Sequence, residues 1–260
     1  MRELRVGRHC PETVTNGDGG LCKPVKASGY KHLQTTVQCL DGRSEPVRLP
    51  HHPDAVEALR EPTLDDPWRV LVSGCLTGLP CGVDGTDYGL RAALPAWLAD
   101  PRVCSFAFCP EDYQLGTPRT MPDLHGGDGF AVLDGTAKVL DEHRTDLTAA
   151  MLAGAQAMLE LALAESVDFA LLTDRSGACG SQVISIGCRF EEPVHHARGV
   201  GVAAALLIRN GVAVVSQRDP KTLGLLGAKL DPKFAPSSDV VDHHESPWVV
   251  ENLPLLSKAD

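Results

Sequence analysis

Four cysteines carry the chemistry open to this chain: Cys75 in Ser73-Gly74-Cys75-Leu76, Cys81 shortly after it, Cys109 in Cys109-Pro110-Glu111, and Cys179 in Ser176-Gly177-Ala178-Cys179-Gly180. None is half of a Cys-x-x-Cys pair, the close spacing by which zinc knuckles and ribbons hold metal. Their separation asks for a site assembled by the fold, each thiol following an apolar run that ends at a common sheet edge. Soft thiolates converging there suit a soft metal or an iron–sulfur cluster. Cys75, Cys109 and Cys179 are the preferred ligand triad, with Cys81 as a fourth candidate. Three thiolates on a cubane leave one iron open as a Lewis acid. The competing reading is buried core thiols, cysteine being among the most buried residue types. Four of them beside Gly, Pro or Ser at strand ends argue against it.

Glu111, two residues from Cys109, is the best general acid or base, where partial burial can tune a carboxylate. Its bland alternative is a first-turn glutamate favoured by the helix dipole. Ser176 lies in a small-residue loop whose backbone N–H groups can face an anion or cluster sulfides, and it could relay a proton or hold substrate. Otherwise it is a turn-forming serine. Arg119, in Thr117-Pro118-Arg119, reads first as solvated and otherwise as reaching a carbonyl or an anionic group. Asp84-Gly85 reads as a tight turn and Cys104 as core. His51-His52, His195-His196 and His243-His244 read as surface residues.

These residues need elements to position them. Arg69 to Ser73 and Val103 to Phe108 are short β-rich runs ending at Gly74-Cys75 and Cys109-Pro110. Leu147 to Ser166 has helical apolar spacing, with Asp146 as its N-cap. Val167 to Thr173 predicts a third strand, Gly199 to Arg209 a second helix, and Val212 to Ser216 a fourth strand. Strands alternating with helices predict an α/β fold: a mostly parallel, Rossmann-like three-layer sheet flanked by helices. Ligands in such folds sit beyond the carboxyl ends of the strands, where Cys75, Cys109 and Cys179 fall. Residues 1–66 read as an irregular extension and linker with one short strand at Thr35 to Leu40, residues 67–220 as the site-bearing domain, and 221–260 as a tail. In that tail Trp248-Val249-Val250 and Leu253 to Leu256 can pack back on the domain or onto a partner.

A net charge of −10 argues against stable contact with nucleic acid or anionic lipid. The longest apolar segment, Val200 to Ile208, falls short of the ~20 residues a membrane span needs. Met1-Arg2-Glu3-Leu4-Arg5 lacks the apolar stretch of a secretory signal. A cytoplasmic location is expected, where thiols stay reduced and clustered cysteines point to metal or catalysis more than to disulfides.

The ordered segments Val72-Ser73-Gly74-Cys75-Leu76-Thr77-Gly78-Leu79-Pro80-Cys81, Asp84-Gly85, Cys109-Pro110-Glu111, Gly116-Thr117-Pro118-Arg119, Asp146-Leu147-Thr148 and Ser176-Gly177-Ala178-Cys179-Gly180 resemble those of the 2-thiouracil desulfidase-like family. The resemblance spans residues 68–216. It implies a [4Fe–4S] cluster held by Cys75, Cys109 and Cys179, with proton handling by Glu111 and Ser176. It also implies that the open iron takes the sulfur of a thiolated nucleobase, which is removed without net redox change. Members usually carry Arg-Tyr where this chain has Gly82-Val83, and Ser-Pro-Ser-Cys-Gly where it has Ser176 to Gly180. The three cysteines survive both departures. The implied partner is a small thiolated substrate, and a homodimer is compatible with the reading.

Two other classes compete. One is a hydrolase using Cys179 as nucleophile, although the glycine pattern around it only partly resembles a nucleophile elbow. The other is a structural metal or iron–sulfur module, closed by Cys81.

Overall fold

The computed structural model of the protein describes residues 7–9, 56–234 and 239–253; the strand expected at Thr35 to Leu40 lies outside them. Five strands form the main sheet in the order β1-β3-β2-β6-β9. They are β1 (Gly7–His9), β2 (Trp68–Ser73), β3 (Val103–Phe108), β6 (Phe169–Leu172) and β9 (Ala213–Ser216). β2, β3, β6 and β9 run parallel, and β1 pairs antiparallel with β3 at one edge. The helices are α1 (Pro110–Leu115), α2 (Gly129–Leu133), α3 (Thr148–Ala164), α4 (Val202–Arg209), α5 (Pro220–Leu230) and α6 (Pro247–Asn252).

The strands read as unbroken apolar runs because both faces are covered. Leu71, Phe106, Phe108, Ala170, Leu172 and Val214 point into one cluster with α3 and α4 residues such as Met151, Met158 and Leu207. Val70, Val72, Val103, Phe169, Leu171 and Val215 point into the other, closed by Leu226 and Leu230 of α5 and by Trp97. The fold is therefore α/β, with a parallel sheet between two helical layers. Trp68 anchors the second cluster, fully buried, its ring edge-on to Phe169 at 5.6 Å and its indole N–H donating to Arg60 O at 2.9 Å.

A second sheet was not anticipated. It has the order β5-β4-β7-β8, from β4 (Asp123–His125), β5 (Lys138–Leu140), β7 (Val183–Ile186) and β8 (His195–Arg198). Its strands are three or four residues long. Most of them mix charged and apolar residues without a clear period of two, so they leave little trace in sequence.

Two boundaries moved for physical reasons. α3 begins at Thr148 with Leu147 in the cap position, yet Asp146 Oδ1 still accepts the Thr148 N–H at 3.0 Å. α4 begins at Val202 instead of Gly199, because the preceding glycines are spent on docking. Gly201 N donates to Gly180 O at 2.7 Å, Val202 N to Gly177 O at 2.9 Å and Ala203 N to Ala178 O at 2.9 Å. The first turn of α4 is thus fastened to the loop that carries Cys179. Beyond α5, Val249 and Leu253 pack on Val183, so these two take the return onto the domain, one of the two outcomes open to the tail. No helix among the described residues is long and apolar enough to cross a membrane.

Helix α3 also fixes α1. A Cβ at Gly154 would stand 2.3 Å from Pro110 O, so only glycine allows this approach. Gly154→Ala should therefore push α1 away and lower stability by about 1–3 kcal/mol, the usual cost of overpacking. Urea denaturation measures it. Unchanged stability would mean that the α1–α3 contact yields freely.

Candidate active site

Register decides where the thiols meet. Ser73 pairs with Phe108 across β2 and β3, and Val72 with Leu171 across β2 and β6. The three strands end nearly level, so the chain leaves them side by side at Gly74-Cys75, Cys109-Pro110 and Thr173. β2 leads to β3 on one side, whereas β6 leads to β9 on the other. The gap between β2 and β6 is the switch point, where open α/β sheets bind ligands. Cys75 Sγ and Thr173 Oγ1 meet across it at 3.0 Å.

The four thiols are gathered there. A Cβ on Gly74 would lie 3.2 Å from Cys81 Sγ and 3.4 Å from Cys109 Cβ, so the glycine lets these cysteines close in. Cys81 hydrogen-bonds to Cys109 and to Cys75, and these contacts, with burial, push its thiol above the ordinary 9.0. The same Cys81 contact, helped by Thr173, pulls Cys75 below that value against burial. Cys179 is 5% exposed; burial, then the charge of Cys109, push its thiol up. Cys109 caps α1, its Sγ accepting the Asp112 N–H at 3.4 Å.

Glu111 and Ser176 sit beside them. Glu111 does not project into solvent as a first-turn glutamate would; it is 9% exposed. Its Oε2 accepts from Arg119 at 2.7 Å, and its Oε1 lies 3.5 Å from Ser176 Oγ. Ser176 Oγ accepts the N–H groups of Ala178 and Cys179 at 3.2 and 3.0 Å, which leaves its hydrogen for Glu111. Arg119 corrects the expectation of a solvated side chain. It is buried and also donates to Cys81 O, Gly116 O and Thr117 Oγ1 at 3.0, 3.1 and 3.0 Å. It therefore ties the Cys81 loop to Glu111. Asp84-Gly85 makes the expected turn, Gly85 N donating to Gly82 O at 3.0 Å.

Among the described residues, no group of three or more His, Cys, Asp and Glu is placed to hold a single metal ion. A lone zinc needs its donors around one point at about 2.3 Å for sulfur. A cubane takes each thiolate at a separate corner, and the all-sulfur donor set of Cys75, Cys109 and Cys179 suits it. Cys104 is buried as expected but is disulfide-bonded, which the expectation of reduced thiols did not include. Cys10, Cys22, Cys39 and His51-His52 lie outside the described residues.

Sequence reasoning missed the residues that hold the Cys179 loop. Ser73 Oγ accepts Thr173 N at 3.0 Å, and Ser73 hydrogen-bonds to the Cys179 thiol. Asp174, 4% exposed, accepts the N–H groups of Ser181, Gln182 and Val183 at 3.1, 3.2 and 3.1 Å. Its second oxygen meets His243 Nδ1 at 2.6 Å. His243 was expected at the surface. It is buried, lies parallel to the Trp248 ring at 6.1 Å, and donates its backbone N–H to Asp219 at 3.1 Å. Burial, then the charge of Asp242, push Asp219 up to about 7. His195 is exposed and His196 half-buried.

The switch point of this α/β sheet thus gathers thiols, an arginine-anchored carboxylate and a serine. The family model described as 2-thiouracil desulfurase matches residues 70–219, more than half of the chain, and the protein belongs to that family. An uncharacterised Bacillus subtilis (strain 168) protein, YbbK, is 33% identical over 153 residues, covering 58% of this chain and 96% of that one. Among solved structures, the [4Fe-4S]-dependent thiouracil desulfidase TudS is 36% identical over 57% of this chain and 90% of that chain, with a TM-score of 0.46.

Asp174 generates a stability prediction. Burial works against its charge, but His243 and the N–H donors hold its carboxyl below the usual 3.8. The stability it contributes is present above that pH and lost as pH falls below it. Asp174→Asn should flatten this acid limb in unfolding curves taken at several pH values. His243→Ala leaves a buried carboxylate without its partner and should cost about 3–5 kcal/mol. A loss under 1 kcal/mol would show that the pair does not brace the loop.

Proposed function

We propose that this protein hydrolytically removes sulfur from a thiolated nucleobase or a similar small thiocarbonyl compound, using a [4Fe–4S] cluster on Cys75, Cys109 and Cys179. The observation that carries this reading is the meeting of those three thiols with Glu111 and Ser176 at one sheet edge, in a member of the 2-thiouracil desulfurase family. When bound, the cluster supplies a soft Lewis acid matched to a thiocarbonyl sulfur.

The chain's own residues do the rest. Glu111 Oε1 takes a proton from water as the water oxygen bonds to the thiocarbonyl carbon. Arg119 pins the other oxygen and so fixes the direction of Oε1. Ser176, held by two N–H donors, passes a proton between Glu111 and the departing group. Oxygen replaces sulfur, hydrosulfide leaves, and no electrons are gained or lost. The Cys179-nucleophile alternative needs a thiol activated toward thiolate. Cys179 is buried and its pKa is raised.

The test separates cluster from base. Cys75→Ser, Cys109→Ser and Cys179→Ser should each lose bound iron after anaerobic purification, while Cys81→Ser, which keeps a hydrogen-bonding hydroxyl, should retain most of it. Glu111→Gln should keep iron and acid-labile sulfide yet release sulfide from 2-thiouracil about 10²–10⁴-fold more slowly. A fully loaded Glu111→Gln protein with near-normal release would remove Glu111 as the base. A wild-type protein without iron would sink the cluster.

A further inference from the structure

Tyr88 belongs to this site but has no part in the proton handling described above. Its backbone lies at φ 55, a left-handed conformation rare for a bulky residue, and Gly89 follows at φ 64. Thr86 Oγ1 holds it by accepting the Tyr88 N–H at 3.2 Å. Strained backbone of this kind persists where surrounding structure enforces it, commonly at ligand sites.

The strain turns the ring back onto the residue after Cys81. A Cβ at Gly82 would stand 2.7 Å from Tyr88 Cζ and 2.9 Å from Cε2, so the ring rests on the bare Gly82 backbone. The phenolic oxygen accepts the Val83 N–H at 2.7 Å. Arg119 donates its own backbone N–H to Val83 O at 3.0 Å and its guanidinium to Cys81 O at 3.0 Å. Glu111 and Arg119 both act electrostatically on the phenol. Tyr88 is nevertheless 50% exposed. One face is seated on Gly82 and the rest is open, beside the general base.

An aromatic face held in place this way stacks on planar rings. Because its oxygen already accepts from Val83, the phenol has its hydrogen left to give. Burial raises its pKa above 10.0, so that hydrogen is retained at neutral pH. We propose that Tyr88 is the base-recognition residue of this site, stacking on the planar ring of a thiolated heterocycle and donating its O–H to an oxygen of that ring. The inference rests on the desulfuration reading above and narrows its substrate from thiocarbonyl compounds in general to planar heterocycles.

The test uses the cluster-loaded full chain, 2-thiouracil as substrate and uracil as a competing ligand. Tyr88→Asn removes the ring while tolerating the left-handed backbone. It should raise KM for 2-thiouracil and Ki for uracil about 10–100-fold, the range of base–aromatic stacking. Tyr88→Phe removes only the hydroxyl and should raise both about 3–10-fold. In each variant kcat and iron content should stay within about twofold of wild type, which a merely structural role would not give. Wild-type KM and Ki in either variant, or a fall in kcat alone, would overturn the assignment. If wild type itself releases sulfide from none of 2-thiouracil, 4-thiouracil and thiourea, the desulfuration reading fails and this inference with it; release from thiourea but from neither thiouracil refutes this inference alone. An active wild type with unmoved variants refutes this inference alone.

Discussion

The level ends of β2, β3 and β6 are the constraint on which the site depends. Parallel strands cannot reverse through hairpins, so each must leave the sheet at the same edge and return by a crossover. Pairing Ser73 with Phe108 then makes Gly74 and Cys109 neighbours without any contact designed for the purpose. A slip of one residue would turn Cys109 to the opposite face of the sheet and separate it from Cys75. The ladder hydrogen bonds and the two apolar clusters resist such a slip, and in doing so set where the thiols lie.

Much of this was legible in the residues. Long buried strands announce themselves as apolar runs, and β2 and β3 were recognisable for that reason. Because their ends carry cysteines, the site edge could be read with them, and Glu111 could be placed near Cys109 by sequence distance alone. The bracing network was not legible. Asp174 and His243 are far apart in the chain, and a histidine in a polar tail looks identical whether it faces water or a buried carboxylate. Arg119 leaned toward solvent in the sequence for the same reason: three of its five partners are backbone carbonyls, which every residue has. Short strands such as Lys138–Leu140 escaped because three residues cannot establish a period.

Buried polar atoms here are handled by backbone more than by side-chain pairs. Asp174 takes three N–H groups, Ser176 two, and Arg119 three carbonyls and a hydroxyl besides its ion pair. Each of these bonds spares a loop group the cost of being desolvated without a partner, about 1–3 kcal/mol apiece. The loops at the sheet edge are therefore ordered largely by side chains that hold backbone groups. Substitutions at Arg119 or Asp174 would disturb the shape of those loops.

The grip of His243 on Asp174 also bears on the order in which the molecule is completed. Synthesis proceeds from the N-terminus, so Cys75, Cys109 and Cys179 all leave the ribosome well before residue 243. Until then Asp174 has no imidazole to meet and the loop carrying Cys179 lacks its outer brace. Contacts across such separations in sequence form late. The loop carrying Cys179 would then take its braced shape only after residue 243 is made, well after Cys75 and Cys109 have emerged.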